Sequence, residues 1–226
     1  MKRLALMATT VLLLAPNVLA QGWTASDPMC GIGWREPENH ADSVARLILY
    51  HDSGEYEYQI HQLVDAARDY LAARVESRHE ERLAAVFDID ETALSNWSQM
   101  NECGFCRYKP GTLPSEHSPA IASVLDLFRY AKANGVAVFF VSGRPESQRQ
   151  LTVNNLKEAG YSDWSDLLMR PDGNTEHASM LKPRKRQEIV DKGYRIVINV
   201  GDQASDLAGC CSDRVIKLPN PFYRVP

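Results

Sequence analysis

The stretch from Val86 to Asn96, VFDIDETALSN, carries an apolar run straight into two aspartates one residue apart. Residues at i and i+2 of an extended segment project to the same side, so the carboxylates of Asp88 and Asp90 start out as neighbours. Two negative charges at that spacing repel, and the repulsion pushes one pKa upward. A divalent cation would remove the penalty. An oxygen-only ligand set suits Mg²⁺ better than zinc.

The rest of the chain supplies a frame for that pair. LAAVFD, VAVFFVSGR, DLLMR, YRIVINV and RVIKL are short apolar runs of buried-strand length. Helical patterns alternate with them. Ile60, Leu63, Val64, Ala67, Leu71 and Val75 recur at helical spacing after the start signal Asp52-Ser53. Ser118-Pro119 reads as the cap of a helix closed by Gly135, Glu146 to Ala159 as a helix closed by Gly160, and Pro183 to Lys192 as one closed by Gly193. Residues 21 to about 42 read as an irregular arm. Alternation of this kind predicts an α/β fold with a doubly wound, mostly parallel sheet.

Ligands of such sheets bind beyond the carboxyl ends of the strands. The informative polar groups are therefore Asp88, Asp90 and Thr92 after the first run, Ser142-Gly143-Arg144 after the second, and Gly201-Asp202 after the fourth. Asp202 offers another carboxylate to a cation. The Ser142 hydroxyl, the backbone N–H groups that follow it and Lys182 offer donors and positive charge to an oxyanion. Metal, cation and oriented donors around one carboxylate are the requirements of phosphoryl transfer, whose catalysis is chiefly positioning and charge stabilisation.

Composition narrows the class. The chain has 226 residues, 25 basic and 29 acidic side chains and a formal charge of −4, which gives no support for a broad nucleic-acid or anionic-membrane surface. Lys2 and Arg3 precede an apolar run from Leu4 to Ala15, and Val18-Leu19-Ala20 offers small cleavage positions, the pattern of a secretory signal peptide over residues 1–20. Its removal near Ala20 would leave a single domain over 21–226, secreted or periplasmic. Of the five cysteines, Cys30, Cys103, Cys106, Cys210 and Cys211, an odd one must stay unpaired within the chain. Cys103-Gly-Phe-Cys106 has redox-motif spacing but lies among loop residues, so it reads as a loop staple. No zinc-ligand spacing is evident.

The motifs, in their order, resemble the haloacid dehalogenase (HAD) superfamily of phosphohydrolases: DIDET its first motif, VSGR its second, Lys182 its third and GDQASD its acidic fourth. FDIDETALSN, SGRPESQRQLTVNNLKEAGYSDW, KGYRIVINVGDQASDLAG and KLPNPFY further resemble the secreted acid phosphatases grouped with plant vegetative storage proteins and bacterial class B-like enzymes. The likeness runs from about residue 43 to 223. It implies a HAD-like Rossmannoid sheet of order 5-4-1-2-3 with an N-terminal helical segment and a small cap insertion. It also implies a nucleophilic Asp88 and an acid–base Asp90. Mg²⁺ would be held by Asp88, the backbone carbonyl of Asp90 and Asp202, with Asp206 as a support. Ser142, Gly143 and Lys182 would bind phosphate, and Thr92 would orient the first loop.

The expected activity is Mg²⁺-dependent hydrolysis of small phosphomonoesters in mild acid, where Asp90 holds a proton, with no nucleic-acid polymer and no stable membrane association. A non-catalytic storage or binding protein on the same fold is the alternative. Two positions depart from the narrower pattern, Ala204 where Trp is frequent and Pro183 where Ser is frequent. Lys185 rivals Lys182 for the third motif. Arg144 reads as a salt-bridged cation rather than a catalytic one, and Asp206 as either metal support or helix cap. A calcium loop starting at Asp88 fails, because Ala93 and Gln99 stand where Gly and Glu are needed. Trp97, Phe105 and Tyr108 either line the entrance or pack in a surface loop.

Overall fold

The computed structural model describes residues 37–106 and 117–225. The leader pattern, Cys30 and Tyr108 lie outside them. From His40 onward the chain forms one compact unit, and among the described residues five strands make one sheet: β1 (Arg82–Phe87), β2 (Ala137–Pro145), β3 (Asp166–Arg170), β4 (Tyr194–Gly201) and β5 (Ser212–Lys217). Every pairing is parallel, and the order is β3-β2-β1-β4-β5. Read from β5 this is 5-4-1-2-3, the order implied by the resemblance, with β1 central.

The helices are α1 (His40–Asp52), α2 (Glu55–Glu76), α3 (Trp97–Glu102), α4 (Ala122–Ala133), α5 (Arg149–Glu158), α6 (Ala178–Asp191) and α7 (Ala204–Leu207). Strand β1 explains why they sit on both faces. Leu83, Ala85 and Phe87 point into one core, and Ala84 and Val86 into a second. The first core is filled by Ile60, Val64 and Leu71 of α2 and by Val124, Leu127 and Phe128 of α4. The second is closed by Ile189 of α6 against Phe139 and Ile196. A strand covered on both sides must be apolar at every position, which is why LAAVF shows no alternation. Burying one large side chain such as Phe140 contributes roughly 1.5–3 kcal/mol.

Several boundaries differ from the sequence expectation, each for a local reason. Residues from His40 are helical rather than an arm. Leu47 and Tyr50 are only half-buried against the core, so α1 carries a weak apolar stripe. Helix α4 begins at Ala122 instead of after Ser118-Pro119, because the Ser118 hydroxyl donates to Asn96 Oδ1 (2.9 Å) rather than capping. Helix α6 begins at Ala178, five residues before Pro183, so Lys182 lies within the helix instead of preceding it. Pro183 packs against Gly209, where an added Cβ would meet its ring at 2.8 Å. Gly135, at φ 70°, closes α4 as expected. Cys103 and Cys106 are joined by a disulfide after α3, as the staple reading required, and Cys210 is joined to Cys211.

Candidate active site

Strands β1, β2 and β4 end at the same edge of the sheet, and their polar followers meet there. The Asp88 N–H donates to Val200 O (2.9 Å), which extends the β1–β4 ladder by one residue and fixes the Asp88 side chain at the tip of the central strand. Lys182, from α6, donates to Asp88 Oδ1 (2.6 Å) and to Asp206 Oδ1 (2.5 Å). All three side chains are buried. Carboxylate oxygens of Asp88, Asp202 and Asp206 lie within 4.8 Å of one another. Lys185, the rival, pairs with Glu188 on the outside of α6.

Each carboxylate is held by donors that leave it little freedom. Asp202 Oδ1 accepts from the Thr92 hydroxyl (3.1 Å), and Oδ2 from Gln203 Nε2 (2.6 Å) and Asn220 Nδ2 (2.7 Å). Asp206 sits in the short helix α7 and accepts from the Gln203 N–H (2.8 Å) in a reciprocal cap. Asp206 is thus both cap and cluster member. Gly201 makes the approach possible, since a Cβ there would lie 2.5 Å from that of Asp206. Arg186, fully buried, donates to the carbonyl oxygens of Asp206 (2.6 Å), Ala208 and Cys210 (3.1 Å), tying α7 to α6.

Asp90 is separate from this triad. Its carboxylate takes Arg144 Nη2 on Oδ1 (2.7 Å) and Nε on Oδ2 (3.0 Å), a two-pronged pair, with Asn96 Nδ2 also on Oδ1 (2.8 Å). The cluster that can hold a cation through side chains is therefore Asp88, Asp202 and Asp206. The Asp90 side chain, expected next to Asp88, is turned toward β2. Arg144 is salt-bridged, as the sequence suggested. The Arg144 N–H also donates to the Ser142 hydroxyl oxygen (3.1 Å), which places Ser142 beside the site.

The electrostatics follow from burial. Burial raises the pKa of Asp88 well above the usual carboxylate range. Lys182 opposes the rise, while Asp206, Asp202 and Asp90 add to it. Asp202 is pushed up to about 7 by burial and by Asp206 and Glu91. Burial would lower Lys182, but Asp206 and Asp88 outweigh it and keep it above its ordinary value. Burial also works to raise Asp90, yet Arg144 prevails and holds it below the usual range. Three buried carboxylates around a single ammonium carry more negative charge than that ammonium offsets. That donor set fits a hard divalent cation.

Sequence reasoning missed a second layer. Glu91, with φ 49° and no exposure, accepts from the Asn96 N–H (2.7 Å) and Nδ2 (3.3 Å) and from the Tyr223 hydroxyl. Burial and the Asp90 charge raise it to about 7. Tyr223 belongs to the KLPNPFY segment, whose Asn220 also grips Asp202. Tyr223, Gly143 and Arg170 line the crevice with the clustered aspartates. Trp97 is not at that wall. It stacks on His51 (centroids 3.7 Å apart) and packs against Phe105 and Phe222, a structural cluster.

Comparison with known proteins gives the chain relatives. The sequence profile that matches residues 15–226 describes HAD superfamily, subfamily IIIB (Acid phosphatase). Acid phosphatase 1 of Solanum lycopersicum is 36% identical over 202 residues, covering 84% of this chain and 76% of that protein. Vegetative storage protein 2 of Arabidopsis thaliana is 30% identical over 197 residues, covering 84% and 73%. The class C acid phosphatase of Bacillus anthracis has a similar fold, with a TM-score of 0.65 at 22% identity over 82% of this chain and 86% of that one.

Proposed function

We propose, for a chain that belongs to subfamily IIIB of the HAD superfamily, the acid phosphatases, that Asp88 is the nucleophile of a Mg²⁺-dependent phosphomonoesterase. One observation carries the reading: the Asp88 carboxylate stands at the tip of the central strand, 2.6 Å from the Lys182 ammonium, inside a triad of buried aspartates.

In the first step an Asp88 oxygen attacks phosphorus, and the bond from phosphorus to the leaving oxygen breaks. Asp90 gives its proton to that oxygen, so an alcohol departs and Asp88 carries the phosphoryl group. In the second step Asp90 takes a proton from water as the water attacks phosphorus, releasing phosphate and restoring Asp88. Lys182 keeps Asp88 oriented and offsets charge on the phosphoryl oxygens, with the Ser142 hydroxyl and the Gly143 N–H as further donors. The carboxylates of Asp88, Asp202 and Asp206, with the Asp90 carbonyl, would hold Mg²⁺, which when bound offsets the combined negative charge of carboxylates and phosphoryl group. Thr92 fixes the Asp202 oxygen that it touches. The Arg144 pair lowers the proton affinity of Asp90, so its acid form accumulates only as pH falls. Turnover therefore falls as pH rises, and already in mild acid only a minor fraction of Asp90 carries the proton, in contrast to the sequence expectation.

The substrate class is a small phosphomonoester. Action outside the cytoplasm is supported by the leader pattern at residues 1–20 and by the resemblance to secreted phosphatases. Among the described residues no helix is long and apolar enough to cross a membrane. Storage proteins among the relatives supply the second reading, a binding protein without turnover. Hydrolysis of an aryl phosphate, with and without chelator, by wild type and Asp88→Asn separates the two. Turnover that needs Mg²⁺ and vanishes in the variant supports catalysis. No turnover by folded, Mg²⁺-supplied protein favours storage.

A further inference from the structure

Arg170 closes the crevice on the side away from Asp202, and among the described residues none of its partners is a carboxylate. It is the last residue of β3, level with Pro145 of β2. Its Nε donates to Gly143 O (3.1 Å), and its Nη1 to Glu176 O (2.5 Å) and, at 3.5 Å, to the backbone and side-chain oxygens of Asn174. All are neutral oxygens. The Glu176 carboxylate pairs with Arg184 instead. Nη2 has no acceptor among the described residues, and the side chain lines the crevice beside Gly143. The side chain is half-buried and pinned at two of its three guanidinium nitrogens, and the third, Nη2, lies beside Gly143 at the crevice wall. Its neighbour Arg144 differs in kind, since two of its nitrogens are taken by Asp90.

Position decides what the free nitrogen can meet. Adjacent strands lie about 4.8 Å apart, so β3 stands roughly 10 Å across the sheet from Asp88 on β1. The scissile phosphoryl group belongs over Asp88 and Lys182. Arg170 lies to one side of it, where a leaving group extending over β2 and β3 would pass. A fixed, charged guanidinium nitrogen that lacks an anion can donate to one oxygen of a carboxylate or phosphate.

We propose that Arg170 forms a subsite for a second anionic group on the substrate, so that the enzyme favours phosphomonoesters whose leaving group carries a carboxylate or a further phosphate. The proposal rests on the phosphatase reading for the identity of the first group.

The test compares 3-carboxyphenyl phosphate with its neutral isostere, 3-carbamoylphenyl phosphate, on the full chain with Mg²⁺. Wild type should show a KM about tenfold lower for the carboxylate, a difference of about 1.4 kcal/mol. Arg170→Gln should bring the ratio of the two KM values near one, and Arg170→Lys should leave an intermediate ratio. A nucleoside 3′,5′-bisphosphate against its 5′-monophosphate repeats the comparison for a phosphate anion, and a preference in either pair supports the subsite. Equal KM values in both pairs for wild type, or a preference that survives Arg170→Gln, overturns it. If Arg170→Gln fails to fold because Gly143 loses its tether, the wild-type and Arg170→Lys ratios still decide. Binding of the corresponding phenylphosphonates, read by calorimetry, separates the two failures. Tighter binding of the carboxylate form without any turnover would keep the subsite while removing the phosphatase reading.

Discussion

At the N-terminal end of the sheet, Glu81, Arg195, Asp213 and Arg74 alternate in sign, with every link between 2.7 and 3.5 Å and the side chains partly in water. At the C-terminal end, Asp88, Asp90, Glu91, Asp202 and Asp206 face, among the described residues, two cations that pair with carboxylates, Lys182 and Arg144, and water is nearly excluded. The residue types are the same, but burial reverses their meaning. Exposed charges that balance are screened and close to neutral for stability. Buried carboxylates in excess are costly unless a cation joins them. A fold keeps such an excess where chemistry needs it.

Perturbing each end tests that contrast, and the largest effect is expected at the buried pair. Arg144→Gln strands the Asp90 carboxylate and should cost about 3–5 kcal/mol in urea unfolding. The sign with pH follows from the direction of the shift. Arg144 holds Asp90 below its ordinary value, so the pair stabilises only where Asp90 is ionised, and its contribution disappears as pH falls through the folded-state pKa. The gap between wild type and variant should be widest near neutral pH and narrow in acid. A gap that widens in acid would show that Arg144 acts through packing instead.

A smaller effect is expected from the cation. Mg²⁺ at 100 times its dissociation constant should stabilise the fold by about 2.7 kcal/mol, and chelator should reverse the gain. Asp202→Asn should remove most of it, while Asp213→Asn should leave it intact. A melting temperature indifferent to Mg²⁺ would mean that the triad holds no cation. Least of all should follow from Glu81→Gln at the wet end, where the urea midpoint is expected to stay within measurement scatter. A clear loss there would erase the distinction between the two ends.

The fold and the three strand-end motifs were legible because each is local. Apolar runs announce strands, and in a parallel sheet the residues just after them must gather at one edge. The partners were not legible, because they come from far along the chain. Asp90 and Arg144 are 54 residues apart, and Glu91 and Tyr223 are 132 apart. Glu91 was overlooked for another reason, since glutamate is seldom fully buried. Here two donors from Asn96 and the Tyr223 hydroxyl compensate it. The start of α6 was misplaced because a proline preceding a periodic run usually marks the first turn, whereas Pro183 lies inside the helix. KLPNPFY stood out in the sequence without a role. Its Asn220 and Tyr223 now have one, holding Asp202 and Glu91.

The most direct test is chemical trapping of the phosphorylated side chain. Protein turning over an aryl phosphate with Mg²⁺ is quenched and reduced with borohydride, which converts an aspartyl phosphate to homoserine, and its peptides are read by mass spectrometry. Homoserine at position 88, absent without substrate and absent from Asp88→Asn, is the expected result. Turnover with homoserine at another aspartate, or with no trapped residue under conditions that accumulate the intermediate, would contradict the role given to Asp88.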